Sequence, residues 1–290
     1  MIGIVAIIFI FIMVFGGYTL AGGKMGIIYH SLPFELMIIL GAAVGAFSIA
    51  NSMSTIIHTV KDVGKVFKGP KWKQQDYQDI MCLLFTLIRI GRKSPADIEP
   101  HIENPSESAV FGAYPRIQKD KEAVELICDT LRSASMNYDD PHQVEEVLEK
   151  RLEAHLEHSL HSAHALNAMA DGLPALGIVA AVLGVIKTMA SIDQPPEILG
   201  GMIGGALVGT FLGIFLAYGF VGPFAAKVDA VINEDHKFYN TIREILVANL
   251  YSHSPNICVE VGRQNTPGQF RPSFDDLEQA LKEAKQAVAA

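Results

Sequence analysis

The chain has 290 residues, of which 50% are hydrophobic and only 19% charged, with a mean hydropathy of +0.27 and a net charge of −8. Soluble domains carry about 25% charged residues, so a fully soluble enzyme, a disordered regulator and a secreted disulfide scaffold are excluded as classes. Residues 52–172 hold 14 Lys/Arg against 19 Asp/Glu, and 227–290 hold 7 against 9. Neither is a basic surface for nucleic acid. Cys82, Cys128 and Cys258 are odd in number, widely spaced and form no CxxC. This is the pattern of free thiols in a reducing cytoplasm.

The apolar excess is concentrated in residues 1–51 and 173–226. Ile2 to Leu20 is a nineteen-residue run without a charge, long enough to cross a bilayer as a helix. It lacks a basic leader and is too long for a signal-peptide core, so it is read as a retained helix. A second run covers Leu36 to Ala50, with an amphipathic extension expected through Ile57. A third runs from Leu173 to Ala190. The fourth, Leu199 to Ala226, would measure about 42 Å as a helix and so should tilt or project.

Lys24 is the one basic residue between spans one and two, and the link Ser191–Glu197 has none. Lys61, Lys65, Lys68, Lys71 and Lys73 follow span two, and Lys227 follows span four. The positive-inside rule therefore places both large polar segments and both termini in the cytoplasm.

The expected architecture is all-α: four membrane helices with a helical cytoplasmic domain. Its parts are spans one and two (1–51), a cytoplasmic helical domain (52–172), spans three and four (173–226) and a cytoplasmic helical tail (227–290). Helical periodicity appears at 74–92, 119–135 and 142–166. Four prolines make 94–116 mostly irregular, with at most short helices. The span-four helix should continue to about Tyr251. Residues 252–273 are expected to be a loop, and 274–289 a final amphipathic helix.

Gly201, Gly205, Gly209 and Gly213 recur every fourth residue, forming a slowly winding groove. Small residues at this spacing let helices approach closely. The groove can serve packing within the chain, an oligomer or a partner helix. The interior of the spans holds no Asp or Glu, because Glu35, Asp193 and Glu197 are all placed at membrane edges. Ion carriers need an ionisable or coordinating group at depth. Only hydroxyls are available here, chiefly Thr210, with Tyr218 nearer the cytoplasm, so a partner would have to supply a carboxylate. The alternative for Thr210 is a bond to its own helix carbonyl. Pro174 is expected at a helix start capped by Asp171. Pro223 lies within a continuing helical pattern and should remove a hydrogen bond and bend the helix.

Several segments resemble the A subunit of the bacterial flagellar motor stator (MotA/PomA type). They are Asp171-Gly-Leu-Pro-Ala-Leu-Gly-Ile-Val-Ala-Ala-Val-Leu-Gly184, Val208-Gly-Thr-Phe-Leu-Gly-Ile-Phe-Leu-Ala-Tyr-Gly-Phe-Val-Gly-Pro223, His101-Ile-Glu-Asn-Pro-Ser-Glu-Ser-Ala-Val-Phe-Gly-Ala-Tyr-Pro115 and Arg271-Pro-Ser-Phe274. They follow one another in consistent order over nearly the whole chain. The resemblance implies an inner-membrane ring of five A subunits around two helices of a B subunit, whose aspartate binds the ion. Ion passage then turns the ring against the rotor's switch protein. No enzyme activity and no cofactor are implied.

By the same resemblance, Thr210, Ala181 and Tyr218 line the ion path, and Pro174 and Pro223 couple ion passage to movement. Alanine rather than threonine at 181 favours protons over sodium. Arg92 and Glu99 fall at the rotor contact, with Arg89 as the alternative arginine. One rival within the same superfamily is an ExbB/TolQ-type energiser subunit, which usually has three spans. A rival of another class is a membrane-anchored metal protein using His155, His158, His161 and His164. Those four spread over about 180° of a helix, which a single ion cannot bridge.

Overall fold

A computed structural model describes residues 2–135 and 140–287, and every regular element among them is helical. In chain order these are α1 (Ile2–Phe11), a π turn (Ile12–Gly16), α2 (Gly17–Leu20), α3 (Met25–Ala50), α4 (Met53–Val63), α5 (Lys65–Lys68), α6 (Gln74–Lys93), α7 (Pro95–Glu103), α8 (Ala109–Gly112) and α9 (Pro115–Gln118). They continue with α10 (Lys121–Ser135), α11 (Pro141–Met189), α12 (Pro196–Leu216), a second π turn (Ala217–Val221), α13 (Gly222–Leu250), α14 (Pro255–Asn265) and α15 (Phe274–Ala287). Four helical stretches are long and apolar enough to cross a membrane: Gly3–Leu20, Met25–Ala50, a part of Pro141–Met189 and a part of Pro196–Leu250.

Three expectations need correction. Span two begins at Met25 rather than Leu36, because the helix continues through Pro33 and carries His30, Ser31 and Glu35 inside it. It also stops short of Ile57. Asn51 turns to extended backbone and its amide donates to the Phe47 carbonyl (2.8 Å), while the Ser52 hydroxyl caps α4 by accepting from the Thr55 N–H (3.2 Å). The expected loop 252–273 contains α14. Its start is marked by Pro255 at the first helical position, and it packs through Cys258, Val259 and Gly262. A Cβ on Gly262 would lie 2.4 Å from the Ile245 side chain, so any other residue there would force buried Ile245 to shift. The segment 94–116 folds into the short helices α7, α8 and α9, two of them opened by Pro95 and Pro115.

The chain forms two compact units. The first comprises residues 1–69 and 159–231, and the second 70–158 and 232–290.

The core of the second unit gathers Trp72, Tyr77, Phe111, Ile127, Phe238 and Cys258, among others. Trp72 stacks on Phe238 with centroids 3.9 Å apart. Asp235 accepts from the Lys71 N–H (2.7 Å), and Asp76 accepts from the Lys73 N–H (2.8 Å) and pairs with Arg116 (2.7 Å). Asp120 caps α10 through the Ala123 N–H (2.8 Å) while receiving Tyr239 Oη (3.2 Å) and Lys71 Nζ. Hydrogen bonds to charged groups contribute about 1.5–3 kcal/mol each, so these aspartates hold the 70–76 strap on the core. All three cysteines are buried and unpaired, and burial pushes the Cys82 and Cys128 thiols up to about 12.

The first unit packs Ile28, Ile39 and Ala43 of α3 against Leu173 and Ala180 of α11 and Val208 and Leu212 of α12. Phe11 and Phe15 bring the first span onto Phe215 and Phe211 at centroid distances of 5.8 and 5.9 Å. Aromatic pairs at this spacing add about 0.5–1.5 kcal/mol beyond their burial.

Candidate ion path and helix interfaces

The glycine series of α12 is consumed largely within the chain. A Cβ on Gly213 would lie 2.7 Å from the Leu173 carbonyl and 2.8 Å from Gly177 Cα, so α11 and α12 touch backbone to backbone there. A Cβ on Gly184 would meet Ala206, 2.6 Å from its Cβ and 2.9 Å from its Cα. Gly205 and Gly209 do something different. They admit polar side chains of α3, with Ser31 Oγ and Glu35 Oε2 each 2.6 Å from where the Cβ would be. Gly201 has nothing within 4 Å.

Glu35 therefore lies well inside α3 rather than at its start. It is the eleventh of the 26 residues of α3, about 15 Å along the helix from its start. The residue is 8% exposed, and Oε2 has no hydrogen-bond partner. The sequence sets it at an edge because the uninterrupted apolar run begins only at Leu36. The signal that could have found it was Gly205 on α12, whose only close neighbour is a polar side chain of α3, with Gly209 one turn on.

Thr210 lies next to Gly209, at the level where α12 meets Ala180 and the Ala181 N–H. Its hydroxyl has no hydrogen-bond partner among the described residues, whereas Thr188 bonds the Gly184 carbonyl at 2.9 Å. Ile203, Leu207, Thr210, Ile214 and Tyr218 share one arc of about 80°. The four apolar and aromatic members are exposed and Thr210 is half-buried. Pro174, Ile178, Ala181 and Val185 similarly share one face of α11, with Ile178 and Val185 exposed. These faces are bare in the single chain, and apolar patches of this kind mark lipid or partner contacts.

Pro174 does not start a helix. It lies inside α11, and Asp171, in mid-helix, caps nothing. Pro223 follows the π turn Ala217–Val221, where the Gly222 N–H reaches back five residues to the Ala217 carbonyl. The wider turn accommodates a proline ring that would otherwise press on the Gly219 carbonyl.

In the second unit, Arg92 donates to Asn249 Oδ1 from Nη2 (2.9 Å) and Nε (3.2 Å) and also to the His253 carbonyl. Arg89 is exposed beside Lys93, Asp97 and His101, and Glu99 is exposed on α7. His155 packs edge-on to Tyr239 (5.3 Å) with its Nδ1 buried and unpartnered, while His158, His161 and His164 are exposed. Among the described residues, no three His, Cys, Asp or Glu side chains gather as a metal site.

A four-span helical bundle with polar groups set against glycines defines a polytopic membrane protein of the channel-forming kind. Residues 118–240 match the MotA/TolQ/ExbB proton channel family, and residues 1–95 match the motility protein A N-terminal family. Motility protein A of Escherichia coli K12 is 36% identical over 94% of this chain and 92% of its own length. Chemotaxis protein LafT of Vibrio parahaemolyticus is 33% identical over 94% and 96%. The chain belongs to the motility protein A family. The fold is shared with the C. jejuni MotAB structure (TM-score 0.71, 19% identity, 94% of this chain and 98% of that one). It is shared too with the flagellar MotAB stator complex from Bacillus subtilis (TM-score 0.68, 22% identity, 96% and 98%).

Proposed function

We propose that this chain works as the A-type stator subunit of a flagellar motor, assembling with a B subunit so that ion flow through the membrane drives rotor movement. The observation that carries this reading is the bare face of α12, where Thr210 presents an unpartnered hydroxyl between exposed Leu207 and Ile214. A face of this kind needs a helix against it. The MotAB titles of the structural neighbours point to a B subunit as that helix, and the family resemblance implies five A subunits around two B subunits. The ion is the proton, on the strength of Ala181: an alanine there withholds the hydroxyl that would help replace a sodium ion's hydration shell. A protonophore should then stop swimming in cells where sodium removal does not.

The basic residues Lys61 to Lys73 and Lys227 orient the protein in the inner membrane with both termini in the cytoplasm. Arg89 and Glu99 are available to meet charges on the rotor's switch protein, whereas Arg92 is held by Asn249 and His253. The reading calls for passage of an ion, with no covalent step and no cofactor. Co-purification with the B subunit in detergent, followed by native mass spectrometry, tests it. A five-to-two complex is expected, and a stable homo-oligomer that ignores the B subunit would sink the reading.

A further inference from the structure

Helices α3, α11 and α12 flank a half-open cavity of about 700 Å³ within the first unit. One end is lined by Gly26, Lys187 and Ile198. These lie within three residues of the ends of their helices, on the side carrying the short links. The other end is lined by Glu35 and Ala180, at mid-span. The cavity therefore runs from the link side to about half the depth of the bundle, past the Glu35 carboxyl to Ile38 one turn beyond, and Glu35 is the deepest ionisable group on it. That carboxyl is more than nine-tenths buried and Oε2 is orphaned. Ser31, one turn nearer the open end, lines the same space. A buried polar atom without a partner is costly; the lining is largely apolar, but a space of this size with His30, Ser31, Glu35 and Lys187 along it admits water that would satisfy that atom.

We propose that this cavity is a water-filled half-channel ending at a proton-binding site, Glu35, within the A subunit itself. The inference rests on the ion-driven reading, which sets the link side toward the outside of the cell. Hydronium arriving along the cavity gives its proton to the Glu35 carboxylate and leaves as water, and the reverse step returns the proton. A metal cation is disfavoured. One carboxyl and one hydroxyl are too few oxygens to replace a hydration shell, and Lys187 and His30 line the same space. The ionisable groups facing Glu35 in the cavity are His30 from its own helix and Lys187 from α11, and the cavity-lining residues of α12 add none. Intramembrane ionisable residues are costly and are kept for ion routes.

The test uses the purified A–B complex in proteoliposomes, with infrared difference spectra taken on switching to D2O and on changing the link-side pH. A component of the carboxylic carbonyl band, over and above that of the B subunit's aspartate, should be present in the wild type and absent in Glu35→Gln. It should shift in D2O and fade as the link-side pH rises. Proton flux should drop several-fold in Glu35→Gln and recover in part in Glu35→Asp, with the complex eluting unchanged in size. If that component ignores pH, responds only to sodium or survives Glu35→Gln, the site is overturned. A wild-type complex carrying no proton current would instead refute the ion-driven reading, and the infrared titration would still decide the site.

Discussion

Each glycine on α12 has its own neighbour, and the neighbour decides what a side chain there would do. At Gly213 the obstruction is backbone, the Leu173 carbonyl and Gly177 Cα, which cannot swing aside. Gly213→Ala should lower stability by about 1–3 kcal/mol, the usual cost of overpacking, seen as a lower melting temperature in detergent. Gly200 has open space around it, and Gly200→Ala should stabilise by up to about 1 kcal/mol through helix propensity. Equal effects at the two positions would contradict the backbone contact. His236 makes a second residue-scale case. Burial, with His155 and Arg243 nearby, pushes its imidazole down to about 4. The folded protein thus keeps it neutral, while the unfolded chain takes up the proton below about 6.5. The stability linked to this group is present above pH 6.5 and is lost as pH falls toward 4. The stability advantage of wild type over His236→Gln should shrink across that window, as read by thermal melts. An advantage constant with pH would show that His236 does not titrate there.

At the scale of the helix, the π turn before Pro223 is the telling feature. Proline inside a regular helix costs about 3 kcal/mol, and the Ala217–Val221 turn widens the backbone where that cost would fall. Pro223→Ala restores a donor and removes the ring. The complex should melt at the same temperature or higher, yet cells should swim more slowly. Unchanged swimming would reduce the turn to a packing detail. The turn could not be read from sequence, because a proline announces a lost bond without saying how the helix absorbs the loss. The spans themselves were legible, since eighteen or more apolar residues allow few alternatives. Helix α14 was hidden by its flanking prolines and polar residues, and it forms because Gly262 admits Ile245, a contact made far along the chain. The true length of α3 was hidden in the same way. Its polar residues find glycines on α12 that no local window contains. Thr210 and Ala181 could be nominated from motifs, but Glu35 emerges only once three helices are placed together.

Across the whole molecule, apolar spans and a charged helical unit divide the labour, and the charged unit is where force would pass to a rotor. Exposed charges steer association and set register more than they add affinity, which suits a contact that forms and breaks repeatedly. Arg92 is already committed to Asn249 and His253, so reversing it would disturb folding as well as docking. Arg89 and Glu99 are exposed, and single surface charges change stability by only about 0.5 kcal/mol. Arg89→Glu and Glu99→Lys should therefore impair swimming while proton flux through the A–B complex and its melting temperature stay at wild-type values. Reversing the opposing charge on the switch protein should restore part of the motility. If Glu99→Lys instead prevents membrane assembly, that carboxylate holds the unit together and the rotor contact must be sought on another face.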